Sequence, residues 1–190
     1  FRPGMKVFQK DLSEVHICIG FRGIPANSPD RYAMLILNTL LGSGVSSRLF
    51  QEIREKRGLV YSINSFLSSY ADVGSIGIYA GASKDNYREV MDLIVKESCY
   101  LRESMTVGEF ERTKKQLKGN ILLGLESSSA RMNNIARQEI YHGRYYSPEE
   151  IIRDIEAVKI DDARALSEKT FDKENMAITL LGPAEEPTGT

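Results

Sequence analysis

The chain has 190 residues, 42% of them hydrophobic, and a formal net charge of −1 at pH 7. That is enough apolar material for one full core, while the interspersed charges leave no basic footprint for nucleic acid or for an anionic membrane surface. The longest apolar stretches, such as residues 33–37, fall far short of the roughly 20 residues of a membrane span, and no signal-peptide pattern opens the chain, so a soluble globular unit is expected.

In chain order, Met5 to Lys10 and Glu14 to Phe21 read as two strands joined at Asp11-Leu-Ser. The second alternates Val15, Ile17, Ile19 and Phe21 with His16, Cys18 and Gly20, and an antiparallel pair is expected. Ser28-Pro29-Asp30 has the residues of a helix start. The helix beyond it carries Tyr32, Leu35, Ile36, Thr39 and Leu40 as one stripe. Met34, Leu37 and Leu41 widen that stripe to a helix buried on more than one side. Gly42-Ser-Gly44 ends it. Ser46 or Ser47 caps a second helix to about Lys56, and Gly58 is placed to stop that helix in a left-handed conformation. Val60 to Ser68 and Gly74 to Ala80 form a second strand pair across Tyr70-Ala-Asp.

The rest is mostly helical. Tyr87, Val90, Met91, Ile94, Val95 and Leu101 mark one amphipathic helix. Thr106-x-x-Glu109 is a capping box opening a longer one through Phe110, Leu117, Ile121 and Leu125. Ser127 to Ser129 interrupt or bend that helix before a further one to about His142, which Gly143 terminates, and Ser147-Pro148-Glu-Glu150 is a further capping box ahead of Ile151, Ile152 and Ile155. Asp161 or Asp162 starts the last helix and Met176 to Leu181 returns as a strand. Strands in antiparallel pairs with helices segregated from them describe an α+β layered domain rather than a doubly wound one. It spans residues 1–182, with 183–190 as a tail or linker.

Arg54 falls in the last turn of the second helix and Tyr61 opens the following strand, seven positions on (61 − 54 = 7), across the Gly58 break. An arginine there offers fixed guanidinium donors and a tyrosine a hydroxyl donor. Both can hold carbonyl oxygens, and donors aimed at a tetrahedral oxyanion stabilise a transition state. The alternative is structural: an arginine satisfying helix-end carbonyls, and a tyrosine packed with its hydroxyl wet.

Other constellations carry less. Gly42-Ser-Gly44 lacks the Gly-Lys-Ser/Thr continuation and preceding strand of a phosphate loop. Glu139-x-x-His142 and the strand pair His16 and Cys18 each supply two ligands at most, too few for a zinc site. Arg112, Lys114, Lys115 and Lys118, balanced by Glu109, Glu111 and Glu126, read as a solvated helix face. Cys18 and Cys99 form no Cys-x-x-Cys pair, and buried free thiols in a reducing compartment are expected.

The run Ser46-Ser-Arg-Leu-Phe-Gln-Glu-Ile-Arg-Glu-Lys-Arg-Gly-Leu-Val-Tyr-Ser62 resembles the C-terminal-half signature of the pitrilysin and insulinase-like zinc peptidases, the group that includes the mitochondrial processing peptidases. The order of strands and helices is similar from about Met5 to Gly182. The resemblance implies a LuxS/processing-peptidase-like metallohydrolase fold, in which two homologous halves face each other around a chamber. One half carries His-x-x-Glu-His and a later glutamate for zinc, and the other brings the arginine and tyrosine across. It implies that Tyr61 binds the scissile carbonyl or its oxyanion, that Arg54 holds the substrate backbone, and that Gly42, Ser43 and Gly44 form a loop beside the chamber.

This sequence has only His16 and His142, neither in a His-x-x-Glu-His run. No metal is therefore expected on this chain, and zinc is expected in an N-terminal half, fused or separate. The opening Phe-Arg-Pro-Gly, without initiator methionine, accords with a piece of a longer polypeptide. The expected partners are that half, a peptide or unfolded polypeptide substrate, and a second copy in a homodimer. The resemblance places the protein in the bacterial cytoplasm, with mitochondria as the alternative. A non-catalytic scaffold module, or a peptide-binding domain using a sheet edge, are the competing readings.

Overall fold

The computed structural model describes residues 1–185; residues 186–190, part of the expected tail, lie outside the described residues. Five strands form one sheet in the order β1-β5-β2-β4-β3. They are β1 (Gly4–Gln9), β2 (Val15–Gly23), β3 (Val60–Ser69), β4 (Gly74–Ala82) and β5 (Met176–Gly182). The period-2 pattern of β2 holds as read: Val15, Ile17, Ile19 and Phe21 are completely buried, and they stand opposite Ala82, Ala80, Ile78 and Ile76 of β4.

The expected β1–β2 pair is not formed. β5 inserts between them, parallel to β1 and antiparallel to β2. β1 and β2 still run in opposite directions, but two strand spacings apart. The five residues 10–14 span that gap of about 10 Å as easily as they would close a hairpin. The sheet is therefore antiparallel except for its β1–β5 edge pair.

Helix α1 (Arg31–Gly42) is the central helix, and Tyr32, Met34, Ile36, Leu37, Leu40 and Leu41 on it are buried. It packs on β3 and against α4 (Val107–Gly124), α6 (Pro148–Ala157) and α7 (Ile160–Thr170). Each fully buried aliphatic side chain such as Ile36 or Leu37 contributes about 2 kcal/mol. The helix starts later than its Ser-Pro-Asp signal implies. Ser28 Oγ accepts from the Asp30 amide at 3.2 Å, closing a local turn instead of capping the helix.

Helix α2 (Tyr87–Cys99), the single turn α3 (Leu101–Ser104) and α5 (Ser128–His142) complete the set. Gly143, at φ 65°, ends α5 as expected, and the Ser147/Glu150 capping box is reciprocal. At α4 it is one-sided: Thr106 accepts from the Glu109 amide, but the Glu109 carboxylate is held by Arg48.

Among the described residues all buried apolar side chains belong to one core between the sheet and the helices. Among the described residues nothing covers the other sheet face, and Cys18, Asn64, Phe66, Thr179 and Leu181 are exposed on it. Cys18 thus lies on the solvent face rather than in the core, because its register pairs it with Tyr79 and Thr179 on the outward side. Beyond β5, Ala184 is buried and the Glu185 amide donates to the Tyr87 hydroxyl at 3.3 Å.

Candidate functional site

The segment between α1 and β3 is built around Leu49 and Ile53, both fully buried. The expected regular helix is in part a π-helical turn, Phe50–Glu55, with the Lys56 amide donating to the Gln51 carbonyl at 3.0 Å. Apolar spacing alone does not reveal such a turn, since residues 49, 50 and 53 share a face in either winding. π-turns of this kind recur at functional sites.

Gly58, at φ 64°, reverses the chain as predicted, with its amide on the Arg54 carbonyl at 2.9 Å and the Leu59 amide on the Ile53 carbonyl at 3.1 Å. β3 then begins with a bulge: Val60 pairs with Ala82 and Ser62 with Gly81, so Tyr61 is the extra residue. A bulged residue is released from the ladder and re-aimed, and Tyr61 is 80% exposed.

These two local devices bring the predicted pair together. The Arg54 guanidinium carbon stands 4.7 Å from the Phe50 ring centroid and 5.6 Å from that of Tyr61. Contacts over ring faces hold the guanidinium plane while leaving its N–H groups to donate. Glu52, a neighbouring carboxylate able to capture Arg54, is already bound by Lys56 and Arg57. The Lys56 hydrogen bond, with help from Arg57 against partial burial, holds the Glu52 carboxyl below the usual range. Among the described residues no acceptor is hydrogen-bonded to Arg54 or to the Tyr61 hydroxyl.

The preceding loop is tied to the same turn. Gln51 Nε2 donates to the Val45 carbonyl at 2.7 Å, Ser47 Oγ to that of Gly44 at 2.6 Å, and Ser46 Oγ to Gln116 Oε1 at 2.9 Å. Gly44 needs its φ of 109°. Ser43 is half-buried, its amide on the Asn38 carbonyl. Gly42 is placed differently: it is buried, and a Cβ there would meet the Ser65 amide nitrogen at 2.6 Å. It lets α1 approach β3 and presents nothing to solvent.

Arg48, which sequence reasoning passed over, anchors this region to α4. Its Nε and Nη2 meet both Glu109 oxygens at 2.6 Å, and Nη2 also donates to the Ser104 carbonyl at 2.8 Å. Nothing at positions 48 and 109 signals a contact 61 residues apart. Lys114 corrects the expected solvated face. It is 7% exposed, and its ammonium donates to the carbonyls of Glu156 and Val158 at the end of α6. His16 Nδ1 lies 2.8 Å from the Tyr79 hydroxyl. Among the described residues no group of three or more His, Cys, Asp or Glu could hold a metal, so the residues present do not fit a resident zinc.

A one-sided five-stranded sheet with helices on its inner face and an exposed arginine–tyrosine pair at one strand end defines an α+β layered domain. Residues 2–117 match the Peptidase M16 inactive domain, and the chain belongs to that family. It is 34% identical over 177 residues to a Bacillus subtilis protein described as an uncharacterized zinc protease, YmxG, covering 93% of this chain and 43% of that one. A Streptomyces coelicolor protein of the same description is 35% identical over 183 residues, 96% of this chain and 40% of that protein. The crystal structure of a peptidase M16 inactive domain from Pseudomonas fluorescens shares the fold, with a TM-score of 0.85 at 23% identity over 98% of this chain and 45% of that one. The chain thus spans less than half the length of the curated relatives it matches. No helix among the described residues is long and apolar enough to cross a membrane.

Proposed function

We propose that this chain is the substrate-binding, chamber-closing half of a zinc-dependent processing endopeptidase of the bacterial cytoplasm, acting with an N-terminal half that holds the metal. What carries the reading is the pair itself, two donors 5.6 Å apart by guanidinium-to-ring distance, free of competing acceptors among the described residues. The open sheet face beside Tyr61 supports it, because a wall facing an unfolded polypeptide needs no helical cover. In this reading the Tyr61 hydroxyl donates to the scissile carbonyl and more strongly to its oxyanion, and Arg54 holds a neighbouring backbone carbonyl. Metal-assisted attack by water is the chemistry the other half supplies. The loop at Ser43 and Gly44 lies along the substrate path.

The test is cleavage of an unstructured peptide by the assembled halves carrying Tyr61→Phe. Loss of about a hundredfold or more in kcat, the scale of one oxyanion donor, with unchanged assembly is the expected result. A silent substitution with assembly intact would transfer the chain to the scaffold reading, in which a homologous half serves only to organise its partner.

A further inference from the structure

Helix α5 is turned the wrong way round for a helix held by core packing. Met132, Ile135 and Ile140 on its outer side are 63%, 43% and 77% exposed, whereas Asn134, Arg137, Gln138 and Tyr141 line a cavity of about 460 Å³ beneath it that opens to solvent. Amphipathic helices bury the apolar stripe; here the polar one faces inward. Gln138 is the buried residue of the helix, and its Oε1 accepts the Tyr146 amide at 2.5 Å.

A second cavity of about 270 Å³ adjoins the first, and the two share Ala26, Arg31, Leu35, Ser69 and Arg137. Both arginines therefore stand at the junction. The smaller chamber is walled by Ile24, Met34 and Leu67. Among the described residues no carboxylate lines either chamber; Asp154, 3.8 Å from Arg31 Nη2, lines a separate depression on the other side.

Arg31 is already positioned. Its guanidinium carbon is 4.4 Å from the Tyr32 ring centroid and 5.0 Å from that of Tyr146, and Nη2 donates to the Tyr32 hydroxyl at 3.4 Å. Arg137 has no ion-pair partner among the described residues. His142, also in the wall, registers the field: burial first, then the charges of Arg31 and Arg144, hold its pKa below the ordinary histidine value.

We propose that the joined cavities are a binding site for a carboxylate on an apolar stem, the carboxylate between Arg31 and Arg137 and the stem in the chamber of Ile24, Met34 and Leu67. Planar guanidinium forks match carboxylate geometry, and the volume of the larger chamber falls in the range of small-ligand sites. The same chemistry has two sources, a free medium-chain carboxylic acid and the C-terminus of a peptide ending in apolar residues. The site is separate from Arg54 and Tyr61 and does not rest on the proposed peptidase role.

The experiment is an NMR titration of the 190-residue chain, reading the His142 ring signals with those of His16, on the far sheet face, as the internal control. The probes are octanoate against octan-1-ol, and a short leucine-rich peptide with a free against an amidated C-terminus. Saturable movement of His142 but not His16 is expected from at least one carboxylate probe, with affinity about tenfold or more above its neutral counterpart. Arg137→Gln, at an exposed position that leaves the fold intact, should weaken it at least tenfold, and each added methylene in the stem should tighten it about fourfold. Octanoate alone binding identifies a free acid, and the free peptide alone identifies a chain end. Neutral probes binding as tightly as the carboxylates, no saturable shift by about 10 mM, or unchanged binding by the Arg137→Gln chain, its unfolding midpoint unaltered, would overturn the assignment.

Discussion

One inserted residue decides where Tyr61 stands. Val60 is buried and Ser62 already belongs to the outer face of the sheet; the bulge between them frees Tyr61 from both. That Arg54 and Tyr61 come near one another was legible in the sequence, because a helix end and a strand start lie on either side of a glycine stop. Arg48 and Lys114 were not, because a charged residue that finds a buried partner far along the chain looks the same as a solvated one. Their burial makes them testable. Glu109→Ala removes both carboxylate bonds of the Arg48 guanidinium, whose side chain is 11% exposed, leaving it Ser104 and, at 3.9 Å, Glu97, and should cost about 2 kcal/mol in urea unfolding. Gly42→Ala, driving a Cβ into the Ser65 backbone, should cost about 2 kcal/mol by the same measurement.

His142 gives a pH signature at the same scale. Its native pKa is depressed by burial, Arg31 and Arg144, so between that value and the ordinary one, about 6.5, the unfolded chain binds more protons. Stability therefore rises with pH through this window. The penalty is full below the native pKa and absent above the unfolded one. Urea midpoints measured across the window should show this rise, and His142→Gln should flatten it.

At the scale of elements, the clearest signals were local. Ser147-Pro-Glu-Glu150 reads as a capping box and is one, and Ser147→Ala should lower stability by about 1 kcal/mol, read from the shift in thermal midpoint. Thr106-x-x-Glu109 has the same pattern, yet its carboxylate went to Arg48, since two charge-assisted bonds outweigh one backbone bond. The alternation of β2 named the core face residue by residue. Its neighbours were another matter: side-chain period says which face a strand buries and nothing about which strand lies beside it. The π-turn escaped for a related reason, because one extra residue per turn leaves the buried positions 49 and 53 in place. α5 was predicted from its boundaries, the serines before it and Gly143 after it, and its apolar residues Met132, Ile135 and Ile140 point outward.

For the whole molecule, the α+β class followed from segregated strands and helices, whereas the strand order had to come from the folded chain. β5 lies in the interior of the sheet, bonded to β1 on one side and β2 on the other. A chain ended at Asn175 should accordingly lose its cooperative thermal unfolding, monitored by circular dichroism, rather than shed a single strand. The position of β5 also has a consequence in time. During synthesis β1 leaves the ribosome early, but its only strand neighbour in the described sheet begins at Met176, which at ordinary elongation rates follows on the order of ten seconds later. Through that interval Met5 and Val7 belong to an orphan strand open to any passing edge, and the lysines at 6 and 10 stand where charge discourages the wrong partner from joining.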